Sequence, residues 1–166
     1  MEVKEAPTEA LIGGAWRRLA RRFPVVSPAT GERVAEVADC GIDPLAELGI
    51  TLPSAAAPAA NYVPTVTAGN LMHISGQIPF AEDGSLMKGR LGDTVDVAYG
   101  QAAARRCAVG LIAQMKTALG DLSRVKRVVK LGVFVASHPD FTDQPEVGNG
   151  ASDLMVEVFG DAGRHA

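Results

Sequence analysis

The side chains able to hold a metal or attack an electrophile are few and scattered. His73, His138 and His165 lie far apart without the spacing of a metal site, so no metal is expected. Cys40 and Cys107 form no CxxC pair, which argues against both a disulfide framework and a zinc knuckle and fits a reducing cytoplasm. Cys107 falls inside a helical pattern where nothing nearby in sequence supplies an activating base or cation at the right face, and reads as a small core residue rather than an activated thiol. Arg17, Arg18, Arg21 and Arg22 could seek phosphate or acidic lipid, but a short cluster of arginines is more often a solvated face. Glu36, Asp39 and Asp43 read as surface charge, and His73 as a half-buried side chain of a strand. Composition and spacing alone therefore define no catalytic constellation.

The elements that would position a site are clearer. Residues 61–68 and 71–78 are β-prone runs on either side of Gly69-Asn70, a two-residue turn, and predict a hairpin. Asp83-Gly84 marks another turn, and Ser85 to Leu91 suggests a short strand. Ala104, Ala108, Leu111, Met115 and Leu119 recur at spacings of three and four, giving a long helix capped by Thr94 and ended by Gly120. Val129, Leu131, Val133 and Val135 alternate along 125–136, the pattern of a strand lying against that helix. From Pro145 to Gly160 a second helix follows, and Met72, Met87, Met115 and Met155 read as core filling.

Ahead of these elements, residues 53–60 are a Pro/Ala run without periodicity, which reads as an extended connector. Before it, Ser27-Pro28-Ala29-Thr30-Gly31-Glu32 is a turn between β-prone residues and predicts a small hairpin. The organisation expected is a leader over 1–43, a connector over 44–60 and an α+β domain over 61–166. The 166 residues suffice for one ordinary core. Sixteen Lys+Arg against nineteen Asp+Glu leave a net charge of −3, and only 5% of residues are aromatic, so the broad basic, stacking surface of an RNA binder is missing. No apolar run approaches a membrane span, and the acidic Glu2, Glu5 and Glu9 do not open a signal peptide. A cytoplasmic protein, with neither nucleic acid nor membrane as partner, is expected.

Asn61-Tyr62-Val63-Pro64, Gly69-Asn70-Leu71 and Ile74-Ser75-Gly76-Gln77-Ile78-Pro79 resemble the opening hairpin of the RidA/YjgF family of imine deaminases. The resemblance continues through Ala118 to Leu122, Val125 to Lys130, Phe134-Val135-Ala136, Asp140-Phe141 and Val158-Phe159-Gly160, and so covers about 44–166. Residues 144–153 look like a divergent branch. The resemblance implies a chorismate-mutase-like α+β fold, a mixed sheet with two helices on one face, and a homotrimer. It also implies clefts between subunits where 2-imino or 2-enamino acids are hydrolysed to 2-keto acids and ammonia, without a cofactor. Tyr62 and Ser75 correspond to a cleft tyrosine and serine and become the catalytic candidates, against packing roles at the sheet rim and beside Gly76. Asn149 corresponds to a substrate-binding asparagine, against the alternative of a helix cap. Gln77 is a marker of the fold without assigned chemistry. The family's carboxylate-holding arginine and the last strands, one carrying a glutamate, match positions beyond Ala166, so an incomplete sheet with an unpaired edge is expected. Arg164 matches a residue upstream of that arginine and receives no role.

A separate resemblance covers about 10–42. Leu11 to Trp16 and Phe23 to Glu32 are similar to the N-terminus of aldehyde dehydrogenases, a peripheral region without that family's active site, so Cys40 is not a catalytic cysteine by this comparison. Two function classes follow. One is hydrolytic deamination of small 2-imino acids, impaired by truncation. The other is a non-catalytic small-molecule-binding or oligomeric protein, or an inactive fusion fragment.

Overall fold

The computed structural model describes residues 9–12, 15–18, 22–38 and 43–166, so the expectations for Asp39 and Cys40 lie outside the described residues. The chain divides into two compact units, Met1–Asp43 and Pro44–Ala166. In the first, β1 (Glu9–Ile12) pairs antiparallel with β2 (Ala15–Arg18), and β3 (Arg22–Val26) with β4 (Arg33–Ala38). The second hairpin is the one predicted around Ser27 to Glu32. There the Ser27 hydroxyl accepts from the N–H groups of Ala29 and Thr30, both at 3.3 Å, which closes the turn from its own side chain. The first hairpin carries too few residues per face to show a period.

The second unit begins with α1 (Pro44–Glu47), whose Leu45 is buried in the main core. Residues 44–60, read as a connector, thus belong partly to the packed unit. The buried Gln114 amide also donates to the Ala56 carbonyl at 2.9 Å and ties the Pro/Ala run down. Next come β5 (Thr65–Ala68) and β6 (Leu71–Ile74), antiparallel, with Ala68 opposite Leu71. Gly69 takes φ +60° while no non-glycine residue described has a positive φ, the requirement of a II′-type turn met by glycine at its first central position. Met72 and Ile74 turn to the core; His73 is exposed rather than half-buried.

α2 (Val97–Leu119) is the backbone of the unit. Its N-cap is Asp96, whose carboxylate accepts from Tyr99 N–H at 2.8 Å. The predicted cap, Thr94, instead accepts the Arg90 N–H at 2.8 Å and closes the preceding turn. Gly120, at φ +76°, ends the helix as expected. α3 (Gln144–Phe159) follows, with Pro145 in its first turn where a missing N–H costs nothing. Single 3₁₀ turns occupy Leu122–Arg124 and Gly160–Gly163.

α2 and α3 run parallel, because their contacts rise together in number: Gln101 donates to the Glu146 carbonyl, and Arg105 meets Glu157 at 2.8 Å. The approach depends on glycine, since a Cβ on Gly150 would fall on the Gln101 carbonyl, and one on Gly100 would press on Val147. Ile112, Leu154 and Met155 are the largest fully buried side chains, and Met115 joins them, while Met72 packs against the cluster and Met87 is half-buried.

Two expected strands do not form. Residues 85–91 make only isolated bridges, Phe80 to Leu86 and Leu91 to Val95 and Ser137. Residues 125–136 pair only at their ends: Val128 N–H donates to Ala162 O, Ala166 N–H to Val129 O, and Leu91 N–H to Ala136 O. Between them, residues 130–135 make no backbone hydrogen bond among the described residues. Leu131 packs on the core and Val133 lies over Gly148, but Val129 is 57% and Phe134 99% exposed. A strand is stabilised by its ladder and not by alternation alone, and no segment among the described residues supplies a ladder to 130–135. The described sheets are three separate two-stranded pairs, in place of one mixed sheet. No helix among the described residues is long and apolar enough to cross a membrane.

Candidate functional site

The hairpin β5–β6 sets the first two candidates. Its register, Thr65 opposite Ile74, continues outward through a bond from Ser75 N–H to Pro64 O at 2.9 Å. That bond is the last of the pairing, so Ser75 belongs to the hairpin's register while Tyr62, two residues before Pro64, lies outside it. Tyr62 lies in a bend before β5 and not in a strand. Its side chain is exposed, and its hydroxyl accepts from Ala59 N–H at 3.3 Å. Ser75 is half-buried just past β6.

Residues 75–80 are fastened along one face of α2. Gln77 rests against Gly110, where a Cβ would approach its Oε1 to 3.0 Å, and donates from Nε2 to the carbonyls of Ser75 (3.1 Å) and Gly76 (3.2 Å). One turn earlier on the same helix face, Arg106 Nε donates to Phe80 O at 2.7 Å, and its Nη1 stands 3.6 Å from Glu82. Arg106 thus anchors the segment that follows the hairpin, a residue the sequence reasoning missed. The signal available was its spacing of four from Gly110, which puts both on one face.

Asn149 is placed elsewhere. It is exposed in the middle of α3, six positions into the helix, so it is not a cap; the N-cap position is Asp143. Its neighbour Gly150 packs on Gln101 of α2, whereas the Ser75–Gln77 stretch packs on Gly110. Nine residues of helix separate those contacts, about 13 Å along the axis and about half a turn around it. Tyr62 and Ser75 flank the open end of the β5–β6 hairpin, and Asn149 lies on α3 beside the contact of Gly150 with Gln101.

The electrostatics are quiet. Burial pushes the Cys107 thiol up, away from the thiolate that nucleophilic chemistry needs. The Ser85 hydroxyl and its backbone N–H hold the exposed Asp83 carboxyl below its ordinary value. No group of three or more His, Cys, Asp or Glu able to hold a metal occurs among the described residues.

The family model described as "YjgF/chorismate_mutase-like, putative endoribonuclease" matches residues 43–166, the whole of the second unit. The chain belongs to the YjgF family. A relative from Trypanosoma cruzi, protein TCP17, is 58% identical over 123 residues, 74% of this chain and 77% of its own. Two solved structures are similar, each with a TM-score of 0.68 over 74% of this chain. One is a "putative endoribonuclease" from Shewanella oneidensis MR-1, 38% identical and covered over 82% of its length. The other is Atu1372 from Agrobacterium tumefaciens, a protein of unknown function, 53% identical and covered over 76%. The fold of residues 43–166 is accordingly the chorismate-mutase-like YjgF fold, a mixed α+β architecture.

Proposed function

We propose that the YjgF unit hydrolyses small 2-imino acids to 2-keto acids and ammonia. The observation that supports this reading is membership of the YjgF family, with an exposed phenol at Tyr62 and a half-buried hydroxyl at Ser75 flanking the open end of β5–β6. In the reaction, water adds to the imine carbon, the C–N bond of the resulting carbinolamine breaks, and the nitrogen leaves as ammonia after accepting a proton. Tyr62 and Ser75 supply hydrogen bonds that hold and orient the water and the carbinolamine hydroxyl, work that needs neither metal nor organic cofactor. Asn149 joins them from a neighbouring subunit of the expected trimer, because within one chain it lies on α3, beside the contact of Gly150 with Gln101. Names that include endoribonuclease describe the family model and the Shewanella protein; the charge of −3 and the aromatic content of 5% place RNA outside this proposal.

The test is ammonia release from a freshly generated 2-imino acid, with the full chain and with Tyr62→Phe. The reading requires release above background and a fall in the variant. Release equal to background with folded protein supports the second reading, a non-catalytic small-molecule-binding protein, which the separation of Asn149 from Tyr62 and Ser75 favours.

A further inference from the structure

Adding water to an imine and expelling ammonia both need a group that takes and returns a proton near neutral pH. A phenol, an alkyl hydroxyl and an amide, the groups of Tyr62, Ser75 and Asn149, hold and orient but carry protons poorly there, whereas an imidazole carries them well. Of the three histidines, His73 is exposed on β6 and His138 is drawn to Asp140 at 3.4 Å. His165 is half-buried and is held by a side chain of α3.

Its Nε2 stands 3.1 Å from Ser152 Oγ, and that hydroxyl donates to the Gly148 carbonyl, one turn back on α3, at 3.3 Å. A hydroxyl has one proton to give. Both contacts are satisfied when Nε2–H donates to Oγ and Oγ–H to the carbonyl, which leaves the proton position on Nδ1 open. Nδ1 lies 3.4 Å from Ala166 O, so the protonated ring gains one acceptor there, and the neutral ring gives up only this longest contact. The cradle therefore holds the ring in one place whether Nδ1 carries a proton or not. Asn149 is three positions before Ser152, which makes the two neighbours on one face of α3. The charges on the surrounding elements are Asp153 and Lys130, both exposed, Glu157, which is paired with Arg105, and the exposed Asp161–Arg164 pair.

We infer that His165 is the proton-transfer group of the site that Asn149 lines, with Ser152 as the residue that positions it. This rests on the deaminase reading above. Neutral Nδ1 takes a proton from water as the water oxygen bonds to the carbon of the protonated imine and the C=N π pair moves to nitrogen. It returns that proton to the amine of the carbinolamine. The C–N bond then breaks with its electron pair on nitrogen, ammonia leaves, and the carbinolamine hydroxyl loses its proton to solvent to give the 2-keto acid.

The test is ammonia release from a freshly generated 2-imino acid, with the full chain and its variants, across pH. His165→Gln should lower kcat about a hundredfold with KM little changed, and remove the acid limb of the pH profile. Added imidazole should restore part of the activity of His165→Ala, which a purely structural role would not allow. Ser152→Ala should lower kcat about fivefold and shift the Nε2 resonance in imidazole nitrogen NMR. An active wild type with His165→Gln equally active overturns the inference alone. Background release by the wild type overturns the deaminase reading, and the same NMR then decides the inference. Pyruvate, the simplest 2-keto acid, should move the His165 Nδ1 resonance in the full chain and not in Asn149→Ala; no movement overturns it.

Discussion

Tyr62 and Ser75 carry the functional reading, and each makes a separable prediction. Tyr62→Phe deletes one hydroxyl from an exposed side chain, so the fold should be unaffected while deaminase activity drops about fivefold, the effect of losing one hydrogen bond of about 1 kcal/mol in the transition state. Arg106→Gln removes the donor to Phe80 O, and should raise KM and lower the melting temperature together by loosening residues 75–80. Cys107 should resist alkylation: in a Cys40→Ser chain, thiol labelling near neutral pH should be much slower than for a free thiol and should accelerate on unfolding, since burial raises its pKa. For Asp83 the shift is downward, so its contribution to stability is present above the unfolded-state carboxyl value and lost as pH falls through the folded one. Ser85→Ala should move the Asp83 titration, followed by carboxyl carbon NMR, up toward an ordinary aspartate.

Among the elements, α2 shows what a sequence discloses. Its spacing of Ala104, Ala108, Met115 and Leu119 and its terminal Gly120 were legible because they are local. Its cap was not: Thr94 and Asp96 are both good cap residues two apart, and only the turn at Arg90 decides that Thr94 is already engaged. Asp96→Ala should therefore cost about 1 kcal/mol in chemical denaturation, with Thr94→Ala acting on the preceding turn instead. The alternation along 125–136 was equally legible, yet alternation reports which face is apolar and says nothing of whether a neighbour is present to complete a ladder. Asn149 illustrates a similar limit. Its residue type suits both a cap and a ligand contact, and its distance from Tyr62 is set by which faces of α2 receive α3 and the hairpin. Leu154→Ala, in the fully buried seam between α2 and α3, should destabilise the unit by about 2–5 kcal/mol, measurable by urea titration.

The whole molecule is two units, and the family match, over 43–166, spans the second and one residue of the first. Deleting residues 1–43 should leave the calorimetric transition of the YjgF unit in place, because Leu45 and the Ala56 carbonyl, its first anchors, remain. The parallel course of α2 and α3 has a kinetic consequence. The bonds joining them, Gln101 to Glu146 and Arg105 to Glu157, span 45 and 52 residues, so neither helix can dock until the intervening chain has turned back along their length. A nascent polypeptide on the ribosome would hold α2 as an amphipathic helix with its core face uncovered through the synthesis of all those residues. Loop closure then precedes any reward from burial, which should slow folding relative to chains of its size with local contacts.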